Sequence, residues 1–527
     1  MPRGSIRARP PAGGATVPAI GRDADVLAAH LEDAAHSPGG FASGLAAPST
    51  EGEVAGLVRA AATILPIGAQ SSLTGGATPR GDVILSTSRL NRIVSIGADW
   101  VRAQAGVTLV DLDAALARAG KSYPPVPTFT GAFVGGIVAT NAAGAATFKY
   151  GTTRDWVRAL TVVLPDGDVI DLERGTVFAT DEGIVEIALT DRVAVIEMPR
   201  YRMPRVPKVS AGYFSEPRMD LIDLFIGSEG TLGVITEVTL RVLAERPARC
   251  LAFVTLDDVD TALGIVAALR IARGFSVSAI EHMDARCLAV LREDGADRAA
   301  GVTIPAGARI ALLVTLELPA TTTTAQAFDE IGRAREADVP DTPLVRFCRM
   351  LDEAGVLDRV EVAVPGDQAR EQQLLSLREA VPAGVNARVR RAKLKVDPRI
   401  AKTAADMIVP FERLGELLTI YDAEFRRRGL DAAVWGHISD GNLHPNVIPR
   451  SMADVESGRE AILAFGREVL RLGGSPLAEH GVGRNPTKQQ LLLDMYGEEG
   501  IDQMRAVKRA LDPEWKMSPG VLFPTLP

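Results

Sequence analysis

The chain has 527 residues, 46% of them hydrophobic and 24% charged, with a net charge of −8. Its length calls for two or more domains, its composition is that of an ordinary globular protein, and its acidic balance excludes broad nucleic-acid binding. The three cysteines (Cys250, Cys287 and Cys348) are far apart and form no CxxC pair, which excludes a disulfide framework or an iron–sulfur cluster held within this chain.

Residues 1–41 begin with a Pro-, Gly- and Arg-rich stretch that lacks an apolar segment. They read as a disordered or loosely ordered segment, not as a signal peptide. No apolar run reaches about 18 residues, so no transmembrane helix is expected. The cytoplasm is the simplest compartment, with any membrane contact peripheral, at the inner face and through a partner.

A first domain is expected over 42–245. Thr50 and Glu53 form a capping pattern for a short helix. Strands follow near 63–67, 83–86 and 101–105. The segment 108–119 reads as a helix, with Thr108 and Asp111 at its start, a stripe of Leu109, Leu112 and Leu116, and Gly120 at its end. Pro165-Asp166-Gly167-Asp168 marks a turn between strands 160–164 and 169–172. Alternation over 234–242 closes the domain.

Three glycine loops stand out in this half. The first contains Gly68, Ala69, Gln70, Ser71, Ser72, Thr74, Gly75 and Gly76 after a strand. The second contains Pro127, Thr128, Gly135, Gly136, Thr140, Asn141 and Gly144, and the third runs from Gly227 through Glu229 to Gly233, just before Ile235. Small residues, hydroxyls and free main-chain N–H groups suit a pyrophosphate. None of the loops is a GxGxxG fingerprint or a P-loop.

The second domain is expected over 246–527. Strand 251–256, helix 259–272, strand 276–282 and strand 310–316 suggest an antiparallel sheet with helices on one face. Further helices are expected around 368–380 and 410–428. The stretch from Gly436 to Asn446 contains Asp440-Gly441, a two-residue hairpin signal. That turn pairs His437 with His444 on one face, with Asn446 two residues on. Two facing histidines with a nearby carboxylate make a three-ligand metal site with room for a substrate, and Glu479-His480-Gly481 follows some 35 residues later. Glu479 and His480 are adjacent, so both can face that site only if their loop is irregular.

The loops, in this order and with Tyr150-Gly151-Thr152-Thr153-Arg154-Asp155 between the second and third, resemble the FAD-binding domain of the vanillyl-alcohol oxidase superfamily. The GHxxDGNxHxN stretch, Glu479-His480-Gly481 and the ending Ser518-Pro519-Gly520-Val521-Leu522 resemble the FAD-linked oxidase C-terminal domain. Together they are similar to the D-lactate dehydrogenase, glycolate oxidase flavoprotein and D-2-hydroxyglutarate dehydrogenase group. The resemblance implies an α+β fold with a PCMH-type FAD-binding domain and a C-terminal FAD-linked oxidase domain of antiparallel sheet and helices.

It further implies that the loop residues named above hold FAD. His437, His444 and Glu479 would bind a divalent metal, Zn or Mn. His480 would be the catalytic base, Asn446 a substrate contact and Arg378 the holder of the substrate carboxylate. Departures from the group are Gln70, where glycine or asparagine is common, Ala143 in place of a second glycine, and Pro382 with the basic run 388–395 after the arginine. With no His or Cys in the first loop, non-covalent FAD is expected.

The reaction implied is oxidation of a D-2-hydroxy acid, D-lactate first, then glycolate or D-2-hydroxyglutarate, by hydride transfer to flavin N5. Electrons would leave to a cytochrome, quinone, electron-transfer flavoprotein or iron–sulfur protein, and a homodimer is compatible. Two other readings stay open: a non-catalytic FAD-binding subunit of an electron-transfer complex, and a flavin transferase of the ether-lipid type.

Overall fold

The turn at Pro165-Asp166-Gly167 joins Val157–Val163 to Val169–Glu173, and Gly167 supplies the φ of 81°. These strands, with Val234–Arg241, Trp100–Gln104 and Ile93–Ile96, form a five-stranded antiparallel sheet. Three parallel strands, Gly44–Ala46, Val83–Ser86 and Ile64–Ile67, form a second sheet. The two sheets share a core that includes Val54, Leu57, Ile64, Leu85, Val163 and Val234. The helix Leu109–Arg118 starts as its capping pattern requires: Thr108 Oγ1 accepts from Asp111 N at 3.0 Å, and Leu109, Leu112 and Leu116 are buried.

A computed structural model of the protein describes residues 4–524, so the first three residues of the expected N-terminal segment and the last three of the expected second domain lie outside the described residues. The N-terminal segment differs from the expectation of loose order. Ser5–Arg7 pairs in parallel with Ile184–Ala188, and Arg9 is held by Glu51 at 2.7 Å and Asp171 at 2.6 Å. Composition misled here because main-chain pairing and ion pairs tie the segment down without an apolar stripe.

The second domain is built on an eight-stranded antiparallel sheet. Its order is Val360–Ala363, Ala248–Leu256, Ile310–Leu318, Ser276–Met283, Ala432–His437, Asn442–Val447 and Thr403–Ala404, with Met407–Ile408 also on Asn442–Val447. Helices cover both faces, not one. Leu251, Phe253 and Leu313 pack with Leu374, Leu377 and Val381 of the helix Gln368–Lys395, whereas Val254, Leu312 and Val314 share a core with Ile265 and Val266 of Val259–Ile271. The unbroken apolar run of 250–254 is the mark of a strand covered twice. The helix Gln368–Lys395 also passes through Pro382, which offers no N–H to the carbonyl of Arg378.

Candidate active site

A cavity of about 2300 Å³ lies between the domains. Gly68, Ala69, Gln70, Ser71, Ser72 and Gly76 line it from the first loop, Pro127, Thr128, Gly135, Gly136 and Thr140 from the second, and Glu229, Gly233 and Ile235 from the third. Among the described residues, the N–H groups of Ala69, Gln70, Ser71 and Ser72 donate to no protein acceptor. Gly136 faces open space, where a Cβ would meet nothing within 4 Å. Free N–H groups beside room kept by glycine fit the pyrophosphate of FAD. Gln70 takes a φ of 50°. Its Nε2 donates to His30 O at 3.0 Å and Ala77 O at 2.9 Å, which pins the departure from glycine in place.

Other loop residues play structural parts. Asn141 Oδ1 accepts from Arg154 N at 2.9 Å, Thr74 O accepts from Arg484 N at 3.1 Å, and Gly227 N donates to Val138 O at 3.0 Å. Gly75 has a φ of 72°, and Gly144 N donates to Thr147 Oγ1 at 3.2 Å. These five do not line the cavity. Glu229 spans the domains: its carboxylate accepts from Val482 N and Gly483 N, each at 2.8 Å.

On the opposite wall the hairpin register differs from the expected one. His437 pairs with Asn442 and His444 with Trp435, so residues 438–441 form a four-residue loop. Tertiary contacts override the two-residue turn. Ile438 is buried, Ser439 Oγ accepts from Ile280 N at 3.3 Å, and Asp440 Oδ2 sits 3.2 Å from Lys208 Nζ. The histidines become diagonal neighbours on one face, with ring centroids 5.4 Å apart.

His437 Nε2 and His444 Nε2 each lie 3.4 Å from Glu479 Oε1. Ligand atoms of these three residues fall within 4.8 Å of one another. Two imidazole nitrogens and one carboxylate oxygen suit a divalent ion with an open position. His480 stacks on His444 at 5.1 Å. Asp406 explains how adjacent residues both reach the site: its Oδ2 accepts from Glu479 N and His480 N, each at 2.7 Å, and bends the loop around a buried carboxylate. A second possible ligand group is Asp406, His444 and His480. Asn446 Nδ2 donates to His444 O at 2.8 Å, which leaves its buried Oδ1 without a partner. Arg378 lines the cavity, with its Nε on Glu281 Oε2 at 2.8 Å.

Three charged groups were missed by sequence reasoning. Lys208, Glu281 and Asp406 meet this site from distant parts of the chain, and no local signal marks them. Lys208 is fully buried and donates to Glu479 Oε2 at 2.9 Å. Burial opposes its charge, but Asp440 and Glu479 raise it above the usual lysine value. Burial alone would push the Glu479 carboxyl up; Lys208 and His437 instead hold it well below the usual range. Burial lowers His437, yet Glu281 and Glu479 bring it up to about 9. His480 is brought down to about 4, chiefly by burial and against Asp406 and Glu479.

A main-chain cradle for a large anion faces an imidazole–carboxylate cluster across one cavity, the layout of an enzyme that brings a cofactor against a substrate. The chain belongs to the FAD linked oxidases, whose C-terminal domain matches residues 245–522, and an FAD binding domain matches residues 42–173. Among curated relatives it is 28% identical to the D-lactate dehydrogenase of Anaerostipes hadrus, over 90% of this chain and 88% of that one. It is 27% identical to the glycolate oxidase subunit GlcD of Bacillus subtilis (87% and 83%) and 29% identical to the D-2-hydroxyglutarate dehydrogenase of Xanthomonas citri pv. viticola (91% and 89%). A solved alkyldihydroxyacetonephosphate synthase shares the fold, with a TM-score of 0.60 and 16% identity over 95% of this chain and 82% of that one. Among the described residues, no helix is long and apolar enough to cross a membrane.

Proposed function

We propose that this FAD-linked oxidoreductase oxidises a D-2-hydroxy acid, D-lactate first, to the 2-oxo acid. The observation that carries the reading is the convergence of His437, His444 and Glu479 beside His480, across the cavity from the glycine loops. FAD, when bound, supplies the hydride acceptor and a divalent ion the Lewis acid.

The protein's own groups then have separate tasks. His480 is neutral near pH 7, because burial holds it at about 4. Its Nδ1 lies 3.5 Å from Asp406 Oδ2 and its Nε2 3.6 Å from Glu479 Oε1, and the tautomer protonated on Nδ1 leaves Nε2 to accept the substrate's hydroxyl proton. Arg378 holds the substrate carboxylate: with Nε on Glu281, Nη1 and Nη2 have no partner among the described residues. Asn446 Oδ1 is a buried acceptor available to a substrate hydroxyl. D-2-hydroxyglutarate and glycolate are the next substrates in line, and electrons leave to a separate protein or quinone acceptor.

FAD is held without a covalent bond, since the first loop has no His or Cys. His36, with 77% of its side chain exposed, also lines the cavity. Yellow colour left in an acid-precipitated pellet would therefore point to His36 and against this expectation.

The test is anaerobic mixing of the FAD-loaded protein with D-lactate, L-lactate, glycolate and D-2-hydroxyglutarate, followed at about 450 nm, the oxidised-flavin band. Bleaching by one D-acid is expected, with loss after chelation and in His480→Ala. No bleaching by any of them, with FAD and metal present, would sink the reading and favour an electron-transfer subunit or a transferase.

A further inference from the structure

The strand Ser276–Met283 runs beside Ala432–His437, and the register sets Glu281 directly across from His437. Residues so paired carry their Cβ atoms within about 5 Å on one face. The carboxylate divides between two neighbours. Oε1 lies 3.1 Å from His437 Nδ1, a close contact whose angle falls short of a well-formed hydrogen bond. Oε2 accepts from Arg378 Nε at 2.8 Å. The three side chains are 12%, 2% and 9% exposed, so water screens neither contact well.

Each neighbour has its other end turned elsewhere. His437 presents Nε2 to Glu479 Oε1, and Arg378 has Nη1 and Nη2 unused among the described residues. A simple buried ion pair with Arg378 would account for Oε2. It leaves unexplained why Oε1 meets the far nitrogen of a candidate metal ligand.

We propose that Glu281 is a positioning residue that couples two holds on the substrate, fixing His437 toward the metal ion and Arg378 toward the substrate carboxylate. The arginine half rests on the hydroxy-acid reading above. An imidazole ligand is oriented, and made more basic, by what its second nitrogen meets. A guanidinium is planar, so anchoring Nε fixes the plane in which the Nη pair grips a carboxylate. Both effects come from one side chain on a central strand.

The experiment compares the FAD-loaded full-length wild type with Glu281→Gln. Zinc and manganese affinities are measured by competition with a chelator, without turnover, and kcat and KM at saturating metal. Metal affinity should fall by about 10–100-fold. KM should rise by ~10-fold with kcat near the wild-type value, as expected for a lost charged hydrogen bond. The fold increase in KM of Glu281→Gln combined with Arg378→Lys should be smaller than the product of the two single fold increases.

If Glu281→Gln does not fold, Glu281→Asp keeps the charge one methylene short and should lose part of the metal affinity. Unchanged metal affinity, effects that simply multiply, or a wild type that binds neither ion would overturn the proposal. If the wild type oxidises no hydroxy acid, the functional reading and the arginine half fail together, and the metal competition still decides the His437 half.

Discussion

On the FAD-binding side the cavity offers main chain: free N–H groups at 69–72, and a glycine at 136 that leaves space open. On the other side it offers side chains: His437, His444, Glu479 and His480, backed by Lys208, Glu281 and Asp406. The first wall recognises by shape and dipole, and most substitutions leave it intact unless they add a Cβ. The second offers charge, and each of its members is packed against another, most of them out of water's reach. A single loss there strands a charge in a poorly solvating place. The same cavity is thus robust on one wall and brittle on the other.

The largest effect that would sharpen this contrast is expected at Lys208. Lys208→Met removes the cation between Asp440 and Glu479 and should cost on the order of 3 kcal/mol of stability. Chemical unfolding with and without divalent ion measures it, and added ion should recover part of the loss. A variant as stable as the wild type would break the picture of a charge-balanced wall.

The next effect concerns pH. Both ring nitrogens of His282 are buried without a partner, and burial, with Arg378 adding to it, brings the imidazole down to about 4. The unfolded chain takes up its proton near pH 6.5 and the folded one only near 4, so stability is full above 6.5 and falls between these values. The loss should be on the order of 3 kcal/mol. His282→Leu should flatten the slope of melting temperature against pH over that window, and an unchanged slope would assign it to other groups.

The smallest effect tests the main-chain wall. Gly136→Val adds a side chain into open space, so the protein should fold as before but lose FAD affinity by at least about tenfold, roughly 1.4 kcal/mol, read from flavin absorbance per protein. At Gly135 a Cβ would come within 2.5 Å of Ala105 Cβ, so Gly135→Val should lower stability instead. If Gly136→Val kept its flavin, the open space would belong to something else.

The main-chain wall was the more legible in the sequence. Glycine in clusters signals a conformational need locally, and the helix at Leu109–Arg118 and the hairpin at Gly167 follow from neighbours in the chain. The candidate metal-site side chains were legible as types, because His437, His444 and Glu479 sit in short motifs. Their support was not. Lys208 lies 271 positions from Glu479, and Glu281 lies 97 from Arg378. The hairpin register failed for the same reason. A two-residue turn at Asp440-Gly441 is a local preference, and Lys208, Ile280 and the core around Ile438 outvote it. Gln70 looked out of place because its bonds to His30 and Ala77 cannot be seen from the loop itself.

Residues 516–518 return to the first domain. Ile64 N donates to Lys516 O at 2.8 Å, Ser518 N donates to Ile64 O at 2.7 Å, and Met517 is buried in the core with Val54, Leu57, Ile64 and Leu85. Protein synthesis runs from the amino terminus, so the FAD-binding half leaves the ribosome with its core one side chain short. That core is complete only once residue 517 has been made, which favours late, long-range assembly over stepwise folding of one half and then the other. A nascent chain stalled before Met517 should remain open to protease where the full chain resists, and a chain cut before Lys516 should have a looser strand at Ile64–Ile67, which leads into the first glycine loop.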